Sequence, residues 1–182
     1  MDRLRDVPWL YLLLPGRKMG TATRQSRGEY EGMKDKLKIS RERMIELLNE
    51  DLAREYQAII AYTVYSQTIK GAAFTDIARE LEVHAAEELA HAILIAKQID
   101  YLNGTPVTLP AKVKMSDKPQ DMLRFDLENE RVTIRNYRER IRQAEAMGEF
   151  GLSEVLRKII AQEQEHLTDL AGALGIDNPK IE

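Results

Sequence analysis

From residue 40 onward, apolar positions recur every three or four residues, the spacing that lines one face of a helix. Nowhere does the chain keep the two-residue alternation of a surface strand. Ser40 stands where an N-cap belongs, and Ile39 and Met44 flank it at the spacing of a hydrophobic staple. The pattern predicts a first helix running to about Lys70 and stopping at Gly71. Thr75 would cap a second that reaches about Asn103, before Gly104. A third would open at Ser116 or Asp117 and end near Gly148, and a fourth would run from about Gly151–Ser153 to near Gly175.

Connection lengths turn these helices into a topology. The turns after the first and third helices take about four residues, so each pair is an antiparallel hairpin. The Pro-bearing link between the second and third, Thr105 to Lys118, is about 15 residues long. At roughly 3.3 Å per extended residue it reaches about 50 Å, the length of a long helix. The expected fold class is therefore all-α, a four-helix bundle with one long crossover between helices 2 and 3. Residues 39–175 would form the bundle, residues 1–38 an N-terminal extension and residues 176–182 a short tail.

Composition narrows the chemistry. Hydrophobic residues make up 43% and charged residues 31%, with only 6% aromatic, a mixture that favours helix. There is no cysteine, which excludes disulfides, thiolate zinc sites, iron–sulfur clusters and thiol catalysis. A formal net charge of −3 gives no global case for nucleic-acid binding. Residues 1–38, however, carry nine Lys/Arg against five Asp/Glu, a basic segment ahead of an acidic body. It could touch DNA or stay a solvated extension. The apolar run Val7–Leu14 is far shorter than the ~20 residues that span a bilayer. Asp2, Asp6 and Pro8 make it a poor secretion signal. The expectation is a cytoplasmic protein without a membrane partner, whose extension is flexible or precedes the true start at Met19 or Met33.

One chemical phrase occurs twice. Glu55 precedes Glu88-Leu89-Ala90-His91 by the same interval that separates Glu130 from Glu163-Gln164-Glu165-His166. Within each Glu-x-x-His, the two ligands project from one helix face. Counted from the two hairpin turns, Glu55, Glu88, Glu130 and Glu163 fall at nearly one height, close to mid-helix, so all four would meet at the bundle centre. Four carboxylates in an apolar core repel one another, and two divalent cations would neutralise them. Oxygen-rich ligation with one imidazole per ion suits Fe or Mn. Two carboxylates could bridge and two bind terminally. Tyr62 and Tyr137 follow Glu55 and Glu130 two turns along, placed to hydrogen-bond a ligand carboxylate, to supply an electron or simply to fill core. His84 lies one turn before Glu88, either as an extra ligand or iron-entry residue or as a hydrogen-bonded structural histidine. Glu87, Glu128 and Glu165 are expected on solvated faces, with Arg131, Arg135, Arg138 and Arg142 as an ion-paired stripe.

These segments resemble the ferritin superfamily, and within it the bacterioferritin-like di-iron proteins. The likeness runs through "REYQAIIAY" with Glu55 and Tyr62, "EELAH" at 87–91, "MLRFDLENE" at 122–130 and "EQEH" at 163–166, over about residues 40–172. It implies Glu55, Glu88, His91, Glu130, Glu163 and His166 as intrasubunit ligands of two Fe ions per subunit. It also implies ferroxidase activity, with Fe(II) oxidised by O2 or H2O2 for iron storage or detoxification, and assembly into a hollow homo-oligomer. Haem is not expected, because the position of the family's haem-binding Met is Leu89 here. The short run after Gly175 leaves no room for the fifth helix of 24-subunit cages, so a 12-mer or another cage is expected ahead of a 24-mer. The alternatives are a metal-retaining peroxidase or manganese-catalase-like enzyme, a DNA-binding protective mini-ferritin, and a bundle that uses its ions only for structure.

Overall fold

The computed structural model of the protein describes residues 37–182. The expectations for the N-terminal extension, its basic charge and the Val7–Leu14 run fall on residues outside the described ones, except for its last two positions. Four long helices follow in order: α1 (Arg41–Thr68), α2 (Thr75–Tyr101), α3 (Pro119–Met147) and α4 (Phe150–Leu174). There is no strand among the described residues.

Ser40 caps α1 as its type and position require, its Oγ accepting from Arg43 N at 3.1 Å. Met44 is fully buried, and Ile39 packs on the same apolar cluster. Ser40→Ala should lower the unfolding free energy by about 1 kcal/mol, the worth of a lost cap. A denaturation midpoint unchanged from wild type would refute this.

Other ends differ from the sequence pattern. Thr75 does not cap α2. A 3-10 turn at Ala72–Phe74 feeds straight into the helix, and the Thr75 hydroxyl donates back to Ala72 O. α3 opens later than Ser116 or Asp117, at Pro119, whose fixed φ suits a first helical position. Ser116 instead braces the approach, accepting from Lys118 N and donating to Asp121 Oδ2. At the end of α2 it is Asn103, with φ 63°, that turns left-handed. Gly104 serves a different need there, since a Cβ would stand 2.5 Å from Ile45 Cγ2. The residues after Gly175 are tied down: Asn178 Nδ2 donates to Thr168 Oγ1, and Arg138 Nη1 to Ile181 O.

The long connection runs the length of α1 and hands its backbone groups to that helix. Asn49 donates to Thr105 O and accepts from Val107 N, and Ala111 N donates to Ala53 O. Gln57 then donates to Lys112 O, and the Tyr65 hydroxyl to Lys114 O. The α1 partners advance from 49 to 65 as the loop advances from 105 to 114, so the crossover carries the chain to the far end of α1. As a result α3 lies antiparallel to α1, beside it, and parallel to α2.

The apolar core is split in two. One half gathers Leu48 and Leu52 of α1, Ile95 and Ile99 of α2, Ile141 of α3 and Leu156 of α4. The other gathers Tyr65, Leu81, Leu123 and Leu170. Between them lies a layer of charged residues at mid-helix, and that layer is where function has to be sought.

Candidate metal centre

All six residues of the repeated phrase meet in this layer. Glu55 and Glu130 are 2% exposed, while Glu88, His91, Glu163 and His166 are each 1% exposed. Ionisable groups are seldom buried this deeply without a compensating charge. Each histidine turns Nδ1 inward. His91 Nδ1 stands 3.1 Å from Glu163 Oε1, 3.3 Å from Glu88 Oε2 and 3.6 Å from Glu55 Oε2. His166 Nδ1 stands 3.0 Å from Glu88 Oε1 and 3.5 Å from Glu163 Oε2. Two overlapping groups result, Glu55–Glu88–His91–Glu163 and Glu88–Glu130–Glu163–His166, and Glu88 and Glu163 belong to both.

Without metal the layer balances its charge with protons. Burial and the neighbouring Glu88 push the Glu55 carboxyl well above its ordinary range, and burial and Glu163 do the same to Glu130. Burial also works to raise Glu88, but the nearby Glu55, His166 and His91 outweigh it and hold this carboxyl below its usual value. Glu163 is lowered in the same way, with burial and the charge on Glu88 overcome by the closeness of His166, His91 and Glu130. Burial opposes charge on both imidazoles, yet the carboxylates win: His91 is raised strongly and His166 is pushed up to about 12. Two carboxylates thus face two imidazolium rings.

The layer still leaves polar atoms unsatisfied. Glu55 Oε2, Glu88 Oε1, Glu130 Oε2, both Glu163 oxygens and His166 Nδ1 are shielded from solvent and have no hydrogen bond. Such orphans cost about 1–3 kcal/mol each. Oxygen and imidazole donors aimed at one point fit a pair of hard or borderline divalent ions.

The tyrosines act across the bundle rather than along their own helices. Tyr62 of α1 donates to Glu130 Oε1 on α3, and Tyr137 of α3 donates to Glu55 Oε1 on α1. Burial first, and then the partner glutamates, keep both phenols well above their ordinary pKa, so they remain donors. His84 is 1% exposed and stacks on His166 with centroids 4.1 Å apart. Its Nε2 lies 3.3 Å from Asp169 Oδ2.

One assignment needs correction. Glu87 is not a solvated bystander: its Oε2 accepts from His166 Nε2 at 2.8 Å, and its Oε1 from Gln162 Nε2 at 3.1 Å. Gln162 Oε1 in turn lies 3.0 Å from His91 Nε2. Each residue just before a Glu-x-x-His therefore orients the histidine of the other helix pair, a role that its place in the repeat could have flagged. Glu128 pairs with Arg131, and Glu165 is exposed, both as expected. Arg140, which is not part of the expected stripe of Arg131, Arg135, Arg138 and Arg142, is buried and donates to Asp51 Oδ2 at 3.0 Å, an inward ion pair. Asp51 and Asp126 stand one turn before Glu55 and Glu130, and both are buried.

The fold and its buried layer define a class, four-helix bundles with one long crossover and a carboxylate–histidine centre. Residues 45–177 match the profile of the ferritin-like domain, and the chain belongs to that family of iron-binding proteins. Bacterioferritin of Desulfovibrio desulfuricans is 28% identical over 127 residues, spanning 69% of this chain and 71% of its own. A ferritin-like di-iron-carboxylate protein of Bacillus anthracis superposes with a TM-score of 0.71 at 35% identity, covering 75% of this chain and 99% of that one. The dodecameric thioferritin of Bacteroides fragilis, a bacterioferritin-related protein, gives 0.70 at 27% identity, covering 81% and 93%. Among the described residues no helix is long and apolar enough to cross a membrane.

Proposed function

We propose that the protein is a ferroxidase that binds two Fe(II) ions within one chain and oxidises them with O2 or H2O2 for iron storage or detoxification. The observation that carries this reading is the pair of overlapping four-residue groups sharing Glu88 and Glu163. Glu55 with His91 would hold one ion and Glu130 with His166 the other, with Glu88 and Glu163 between them. Two adjacent ferrous ions supply two electrons to one oxidant. The chain's own residues do the rest. Glu87 and Gln162 fix which nitrogen of each imidazole faces the centre. Tyr62 and Tyr137 hold Glu130 and Glu55 in place. The two apolar halves of the core keep bulk water away. The same reading includes assembly into a homo-oligomeric cage, and the dodecameric state of the Bacteroides fragilis protein supports it.

The test is anaerobic addition of Fe(II) followed by O2 or H2O2, with ferric absorbance and iron per chain recorded. Oxidation continuing far beyond two irons per chain is the expected result. Saturation at two with no further turnover would replace this reading with a metal-retaining peroxidase or a manganese-catalase-like enzyme.

Glu87 offers a milder check. Glu87→Ala should weaken metal binding by about 10–100-fold in a chelator competition, because His166 loses the partner that orients it. Affinity equal to wild type would remove Glu87 from the machinery.

A further inference from the structure

The two halves of the centre are related by a constant interval in the chain, which takes Glu55 to Glu130, Tyr62 to Tyr137, Glu88 to Glu163 and His91 to His166. That internal symmetry provides a control for every side chain around it. On the side of His166 stand Glu80, His84 and Asp169. The same interval places Val155, Ile159 and Leu94 at the matching positions on the side of His91. All three of these are apolar and pack in one cluster, with Ile159 fully buried. The bundle therefore closes well there without any polar group, and packing does not explain the polar trio on the other side.

The trio has the geometry of a ligand set. Its three donor atoms lie within 4.8 Å of one another. His84 Nε2 is 3.3 Å from Asp169 Oδ2 and 3.9 Å from Glu80 Oε1. Ligand atoms held at ~2.1 Å from one ion stand roughly 3–4.2 Å apart. A single N–H can serve only one acceptor well, yet two carboxylates converge on this nitrogen. The ring itself is 1% exposed and its Nδ1 has no partner, a cost that the isoleucine at the matching position avoids. Glu80 and Asp169 are about half exposed, at 47% and 45%, so the trio opens to solvent on one side while His84 stacks on His166 on the other.

We propose that Glu80, His84 and Asp169 form a third divalent-cation site, an outer station that serves the His166 side of the centre alone. Two carboxylates and one imidazole, with water completing the shell, suit Fe(II), Mn(II) or Co(II), bound more weakly than in the buried layer. Cations reach the His166 position by way of this station, while the His91 position is sealed by Ile159, Leu94 and Val155. The direction of this traffic rests on the oxidising centre proposed above. Occupancy of the outer station does not.

The full chain is titrated anaerobically with Co(II), and bound metal is counted by equilibrium dialysis. Wild type should bind three ions per chain, two tightly and one at least ~10-fold more weakly. The Glu80→Gln/Asp169→Asn variant should bind only the two tight ions. Both substitutions fall on half-exposed side chains and keep their size, so the bundle should fold, and circular dichroism confirms it. The Glu88→Gln/Glu163→Gln variant should keep only the weaker ion. If wild type and Glu80→Gln/Asp169→Asn saturate at the same number, the station is refuted. If the tight ions never bind but the weak one does and is lost with Glu80 and Asp169, the station stands and the buried centre is refuted.

Discussion

Replacing Glu88 and Glu163 together with alanine is expected to lower the rate of Fe(II) oxidation by at least ~100-fold while leaving a helical protein. These two residues belong to both four-residue groups, so their loss takes two of the four donors from each of the two positions at once and removes the carboxylates between them. Any other single ligand pair leaves one position nearly complete. The fold should survive, because the apolar contacts lie in two clusters above and below the charged layer and neither depends on Glu88 or Glu163. Alanine does open space in the layer, so the glutamine double variant is the companion measurement, since it keeps the volume and removes only the charge. Stopped-flow oxidation with far-ultraviolet circular dichroism decides the matter. Wild-type rates in either folded variant would place the chemistry elsewhere.

Metal loading should also expel protons, and by an unusual amount. Burial and the adjacent carboxylates push Glu55 and Glu130 toward the protonated form, while the glutamates around His91 and His166 push both rings toward imidazolium. A carboxylate and a neutral imidazole are the forms that bind metal, so each position must release about two protons per ion. The sign is fixed by the direction of these shifts. All four groups titrate above their ordinary values, so lowering the pH adds competing protons and weakens binding, and raising it strengthens binding. The steepness of that pH dependence follows the number of protons each ion displaces, about tenfold in affinity per pH unit for each proton. Calorimetry in buffers of different ionisation enthalpy, with Co(II) in place of Fe(II) to avoid oxidation, counts the protons directly. Release of fewer than about one per ion would show that the layer holds its charge in another way.

Much of the architecture was open to reading from the chain. A 3.6-residue apolar period and turn signals at Gly71 and Gly148 suffice for four helices in two hairpins, because helix formation and local reversal depend on neighbours. The long link between helices 2 and 3 was enough to require a crossover. The ends were read less well. Thr75, Ser116 and Ser153 all have the chemistry of caps, yet their hydroxyls went to Ala72 O, to Lys118 N and Asp121, and to Glu145. A side chain with several nearby partners is settled by which one the packed backbone brings within reach.

That six ionisable residues fall at one height on four helices is written in the chain, since rise per residue is constant and the phrase repeats at a fixed interval. Tertiary structure alone decided which of them share a neighbour. That Tyr62 reaches Glu130 rather than Glu55, that Glu87 orients His166, and that Arg140 finds Asp51 all depend on how far each helix is rotated toward the others. Those rotations are set by the fit of two apolar cores, a property of the whole bundle that no local stretch of chain contains.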